Sequence, residues 1–227
     1  MTKQKQTSTE RGPGRPKDPN LVDRRKEAIL DRATQLFAQR GYPNTDIDSL
    51  AHALQVGKGT IYRYFSSKQE LFLAAVDRGI RHLIDEVNRC MADVSNPLDV
   101  LKQAIRSYLA FFDQHPDLIE LFIQERAEFK DREQPTYFRY RDSSKGPWKE
   151  LIDDLIMKGR LRAIPFETIS DVVGDLLYGT IFTNHFIHRS ASLEVQANAI
   201  IDIVILGILS DQERHQLTEP CAPRSSL

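Results

Sequence analysis

The chain has 227 residues, 41% of them apolar and 28% charged, which suits a folded core and excludes whole-chain disorder. Its two cysteines, Cys90 and Cys221, are too far apart to suggest a metal site or a disulfide framework, and they fit a reducing cytoplasm. The net charge of −1 hides an asymmetry: residues 1–65 carry 12 Lys and Arg against 7 Asp and Glu, and the other 162 carry 19 against 25. A basic front and an acidic rear suggest that the front meets a polyanion.

The first residues, Met1-Thr2-Lys3-Gln4-Lys5, are polar and do not read as a secretion signal. The longest apolar run, Ala199 to Leu209, contains Asp202 and falls well short of the ~20 residues that cross a bilayer. The expectation is a cytoplasmic protein with no membrane partner.

Residues 1–22 read as a disordered basic arm, with Pro13, Pro16 and Pro19 and almost nothing apolar to bury. From there the chain reads as helices. The first runs from about Asp23 to Arg40, with Ile29, Ala33, Leu36 and Phe37 on one stripe and Gly41 as its stop. The second starts after Asn44-Thr45, with Thr45 as its N-cap and Ile47, Leu50, Ala51 and Leu54 inward. A third spans about Gly57 to Phe65. A fourth opens with the capping box Ser67-Lys68-Gln69-Glu70 and continues to about Asp93. Asn96-Pro97 opens a fifth, to about Gln114, and Pro116 a sixth, to about Lys130. A further helical region follows Gln134-Pro135, with a break near Gly146-Pro147, and ends at about Gly159. Pro165 opens an eighth helix, to about His188. Ser192 caps a ninth, to about Ser210, and 211–227 reads as a flexible tail. The fold class is all-α with about nine helices.

The second and third helices are joined only by Gln55-Val56-Gly57. So tight a connection between two short helices is the helix-turn-helix arrangement, whose second helix enters the major groove. Leu50, Leu54, Val56 and Ile61 can form the core that fixes their angle. Thr60, Tyr62 and Arg63 supply donors for phosphate oxygens, Lys58 leads the third helix, and Gly59 lets the backbone come close to DNA.

This stretch, Asn44 to Leu71, resembles the DNA-binding domain of the TetR/AcrR regulators. The matching residues are Thr45, Leu50-Ala51, Val56, Gly59-Thr60-Ile61-Tyr62, Tyr64-Phe65 and Lys68; upstream, Ala33, Leu36-Phe37 and Gly41-Tyr42 also match. The resemblance covers about residues 23–83 and implies DNA contacts from Thr45, Lys58, Gly59, Thr60, Tyr62, Arg63, Tyr64 and Lys68. The chain departs from the family in having Leu54-Gln55-Val56 where Ala-Gly-Val is usual. A left-handed Gln55 would cost roughly 1 kcal/mol relative to Gly. In the arm, Arg11-Gly12-Pro13-Gly14-Arg15-Pro16-Lys17 partly resembles an AT-hook, with Arg15 as the minor-groove residue; the other reading is a plain basic tail.

Regulators of this type sense something, so 84–210 reads as an effector-binding and dimerisation domain. Candidate pocket residues are Phe111, His115, Phe122, Glu125, Trp148, Tyr178, Phe182 and His185; the aromatics among them read more readily as core than as ligand contacts. His185 and His188 have helical spacing for a metal but no third ligand, so neither metal nor cofactor is expected. The ninth helix is apolar nearly all round, which implies burial on two sides. Leu177, Ile181, Ile200, Ile201, Val204 and Ile208 are the expected homodimer contacts. The expected partners are double-stranded DNA, a small-molecule effector and a second copy, with repressor activity on a palindromic operator. The alternative is an architectural DNA-binding protein without an effector. An enzyme is not expected, since hydrolase, zincin and P-loop motifs are missing from the sequence.

Overall fold

Helix starts follow the capping chemistry of the sequence in most places, and where they differ a long-range contact decides. The structure, a computed structural model, describes residues 19–187, 189 and 192–218. Among them are eleven helices: α1 (Pro19–Arg40), α2 (Ile47–Ala53), α3 (Lys58–Tyr62), α4 (Lys68–Met91), α5 (Pro97–Gln114), α6 (Pro116–Glu128), α7 (Thr136–Ser143), α8 (Lys145–Met157), α9 (Phe166–Ile187), α10 (Leu193–Ile208) and α11 (Asp211–Thr218). Extended pairing among the described residues is limited to an isolated bridge between Leu161 and Leu209.

The all-α expectation holds, with three corrections to the element list. The region after Pro135 is two helices, broken at Ser144 rather than at Gly146-Pro147. Residues 211–218 form a helix where a tail was expected: the Ser210 hydroxyl accepts from Glu213 N at 3.2 Å, and Arg160 Nη2 donates to the Glu213 carboxylate at 2.8 Å. Asp46, not Thr45, caps α2, accepting from Ser49 N at 2.6 Å.

The α4 start is close to the expected capping box. Ser67 accepts from Glu70 N at 3.0 Å, but the Glu70 carboxylate reaches back to the backbone and hydroxyl of Ser66 rather than to Ser67. Asn96 caps α5 and Ser192 caps α10 as read from the sequence.

Helices α1, α2 and α3 close over Leu30, Phe37, Leu50, Ile61 and Phe65, all buried. The N-terminal half of α4 completes this unit through Leu71 and Phe72. Phe37 meets Phe72 edge-on at 5.1 Å, and Tyr42 bridges Phe72 and Phe129 at 5.2 and 5.0 Å. The rest of α4 runs into a bundle in which α5 packs against α4 and α10, and α6 packs against α1 and α9. The boundary expected at 83/84 therefore falls inside α4, and one core runs through both halves. Two polar joints reinforce the packing of α4 and α6 onto α1: buried Arg78 pairs with Glu27 and Asp31, and Gln124 Nε2 donates to Phe37 O at 2.9 Å. At Gly79, α4 lies so close to α6 that a Cβ would sit 2.5 Å from Leu118 Cδ1.

Candidate functional site

The turn between α2 and α3 is built from backbone hydrogen bonds. Gln55 N donates to His52 O and Val56 N to Ala51 O, both at 3.0 Å. Gln55 takes φ = +54°, the left-handed conformation that the missing glycine implied. Leu50 and Ile61 hold the inter-helix angle from beneath, whereas Val56 is 37% exposed and belongs to the outer face rather than to the core.

That face carries the expected donors. Lys58, at the first position of α3, is exposed, and its ammonium is 2.6 Å from the Asp48 carboxylate. A Cβ added at Gly57 or Gly59 would meet nothing within 4 Å, so the backbone there is open to a close partner. Tyr62 is 43% exposed, and the exposed Arg63 guanidinium lies 5.4 Å from the Tyr64 ring. Thr60 and Tyr64 are half-buried. Lys68, in the first turn of α4, donates to Pro43 O at 3.3 Å and lies 4.4 Å from the Tyr42 ring centre. His52 is exposed. Arg15 and the rest of the hook-like segment lie outside the described residues.

Thr45 is the correction on this face. It is 1% exposed, and its hydroxyl lies within bonding distance of Gly41 O at 2.9 Å and Leu36 O at 3.2 Å. Its hydroxyl is used inside the protein, joining the end of α1 to the start of α2, and has no route to a phosphate.

The second feature is a cavity of about 570 Å³ bounded by α4, α5, α7, α8, α9 and α10. Its walls include Ile80, Leu83, Val87 and Met91 of α4, Leu101, Ile105 and Tyr108 of α5, and Ile169, Val173 and Leu177 of α9. Trp148 lines it as expected; the other seven residues proposed from sequence do not. Phe122, Tyr178 and Phe182 instead continue an aromatic row through Tyr137, with successive ring centres 5.6, 4.7 and 4.5 Å apart. Burial and the nearby Tyr137 push the Tyr178 phenol up to about 12. Phe111 is buried against His115. Glu125 is spent on Thr136 and Arg132, accepting from Thr136 N at 3.0 Å and its hydroxyl at 2.7 Å. His185 Nε2 is 2.6 Å from Glu120 Oε1, and His188 lies outside the described residues. Among the described residues, His, Cys, Asp and Glu form no group that could hold a metal ion.

The sequence missed the polar end of this cavity. Tyr108 and Tyr137 share a hydrogen bond of 2.9 Å, and Arg141 and Lys145 also line the space. Burial holds both phenols above the usual tyrosine range.

The third feature is an exposed apolar surface on α9 and α10. Val172, Leu176, Phe186 and Ile187 stand out from α9, and Val195, Ile203 and Leu206 from α10. The residues expected there lie on the opposite side of the same helices. Leu177, Ile181, Ile200 and Ile201 are buried in the protomer core, while Val204 and Ile208 are half-buried and line the cavity. Among the described residues no helix is long and apolar enough to cross a membrane.

A tight helix-turn-helix on an all-helical body is the arrangement of DNA-binding domains whose second helix enters the major groove. Residues 29–75 match the bacterial regulatory proteins, tetR family, so the helix-turn-helix end of the chain is similar to the corresponding segment of those regulators. It is 31% identical over 100 residues to the HTH-type transcriptional regulator HbdR of Aromatoleum sp. (strain CIB), covering 44% of each chain. It is 29% identical over 185 residues to the HTH-type transcriptional regulator YhgD of Bacillus subtilis (strain 168), covering 81% of this chain and 96% of YhgD. The matched segment thus spans less than half of HbdR but nearly all of YhgD. The crystal structure of the transcriptional regulator FadR from Bacillus subtilis in complex with stearoyl-CoA shares the fold. Its TM-score is 0.67 at 16% identity, over 80% of this chain and 98% of that one. The matched relatives are regulators and not enzymes.

Proposed function

We propose that the chain is a ligand-responsive repressor that binds a palindromic operator as a homodimer in the cytoplasm. One observation carries the reading: α4 completes the core of the DNA-binding unit with Leu71 and Phe72 and walls the cavity with Ile80 to Met91. A ligand in the cavity therefore touches the helix on which the DNA-reading surface is mounted. Lys58, Gly59, Thr60, Tyr62 and Arg63 meet the operator, with Tyr64 and Lys68 at the edge of the contact. FadR, the structural neighbour bound to stearoyl-CoA, lends support to an effector in a fold of this kind. An architectural DNA-binding protein would have no use for a 570 Å³ cavity.

The apolar surface of α9 and α10 meets its copy as a four-helix bundle. A two-fold pair sets two recognition helices about 34–36 Å apart, or a multiple of that. Selection of bound sites from random DNA tests this. The expected product is an inverted repeat bound by a dimer, and recovery of single half-sites bound by monomers would overturn it. Ligand coupling is expected to shift operator affinity by about 5- to 150-fold.

A further inference from the structure

The cavity has two chemically different ends. Its α4 wall runs from Ile80 to Met91, twelve residues whose ends lie about 16 Å apart along the helix. Helices α4 and α5 are consecutive, packed together and joined by residues 92–96, so they run antiparallel. Met91 and Val100 lie at the end beside that turn, where Asn88 is the polar side chain among apolar neighbours; Ile80 and Tyr108 lie at the other.

The hydrogen-bonded phenols and Arg141 gather at the Tyr108 end. Tyr108 and Tyr137 are hydrogen-bonded at 2.9 Å, which uses one hydroxyl proton and leaves the other free to donate. Arg141 is close enough for its charge to act on both phenols. It lies against Gly174, where a Cβ would come within 3.5 Å of Nη1. Its Nη1 pairs with Asp175 at 3.0 Å, but its Nε is buried without a hydrogen-bond partner, and the Asp142 carboxylate stands 4.0 Å off. An unpaired buried guanidinium nitrogen is unfavourable until something accepts from it. Lys145 is the other charged residue in the wall, and no Asp or Glu lines the cavity. A cationic ligand would find no counter-charge, and an uncharged hydrocarbon would leave Arg141 Nε unpaired.

We propose that the cavity binds an elongated organic carboxylate, its head against Arg141 and the Tyr108–Tyr137 pair and its apolar body along α4 toward Met91. This rests on the reading of the cavity as the effector site. At about 30 Å³ per water-sized group, the volume holds on the order of 20 non-hydrogen atoms.

Trp148, the one tryptophan of the chain, lines the cavity and reports its occupancy without DNA. The test titrates the full chain with tetradecanoate, 1-tetradecanol and tetradecylamine while following tryptophan emission. Tetradecanoate is expected to bind about tenfold or more tightly than the alcohol, the amine least of all. Arg141→Met should abolish the preference for the acid and leave the alcohol unchanged. Asp175→Asn breaks the same ion pair but keeps the cation, so it should tighten carboxylate binding, which a merely structural role for Arg141 would not produce. Equal affinities for the three probes, a preference for the amine, or no response to any of them would overturn the proposal. Operator binding is read in parallel. Occupancy by tetradecanoate without a change in DNA affinity would keep the ligand class and remove the effector role. DNA release by another compound, with no tetradecanoate binding, would remove the ligand class alone.

Discussion

The Lys58 ammonium lies 2.6 Å from the Asp48 carboxylate, so the leading cation of the recognition helix is partly neutralised by the helix before it. Both side chains are exposed, and the hydrogen bond to Asp48 holds the Lys58 pKa above its usual value. The pair is available for exchange, with a phosphate or base edge taking the place of Asp48. Lys58→Ala should weaken operator binding, relax base preference and reduce the salt slope by about 1. Asp48→Asn should do the reverse and strengthen binding. Tyr62→Phe should weaken binding by a similar factor on all sequences. Fluorescence anisotropy across a salt series checks all three, and unchanged affinity in folded Lys58→Ala and Tyr62→Phe proteins would contradict the assignment.

Thr45 separates stability from recognition. Its buried hydroxyl donates its one proton to a backbone carbonyl, with Gly41 O at 2.9 Å and Leu36 O at 3.2 Å both in reach, so Thr45→Val removes a buried hydrogen bond and should cost about 1–3 kcal/mol. Urea unfolding should show the loss, while the folded protein should keep its DNA affinity. A Thr45→Val protein of normal stability but poor DNA binding would return Thr45 to the interface.

The dimer surface gives a paired prediction. Ile203 is 75% exposed and Ile201 only 4%, two residues apart on α10. Ile203→Asp should yield folded monomers with greatly reduced operator binding. Ile201→Asp should instead unfold or strongly destabilise the protomer, since it buries an unpaired charge. Sedimentation and circular dichroism together separate the two outcomes.

Alkaline pH offers a check on the aromatic row. Burial raises the folded Tyr178 phenol to about 12, above the ordinary tyrosine value of about 10. A raised phenol favours the neutral form in the folded state, so its contribution is complete below pH 10 and is lost as pH climbs toward 12. Stability of the wild type should fall through that window, and Tyr178→Phe should fall less steeply there. Absorbance titration of phenolate should show Tyr108, Tyr137 and Tyr178 ionising late.

How far the sequence could be read depended on how local the determining contact was. The helix-turn-helix was legible because Leu50, Ile61 and Phe65 mark its core within sixteen residues. The choice between Thr45 and Asp46 as cap was not, because both types cap well and Thr45 is claimed by Leu36 O, nine residues away. The all-round apolar character of α10 announced two buried faces, but it cannot say that Ile201 faces inward and Ile203 outward. The cavity depends on where six helices leave space. Bulky aromatics such as Phe122 and Phe182 were the natural candidates for its walls, yet they pack on each other. Tyr108, Tyr137 and Arg141 gave no local sign of converging.

The close contact between Gly79 and Leu118 falls near the midpoint of α4, with eleven residues before Gly79 and twelve after it. These are lever arms of about 17 and 18 Å. A helix held at its middle tilts more readily than it slides. Were that contact the fulcrum, a push on the Met91 end would carry the Ser67 end the other way by nearly the same distance, a balance beam with a gearing close to one. Enlarging Gly79 to Ala would press on Leu118 and shift the fulcrum, so the two ends would no longer answer each other equally.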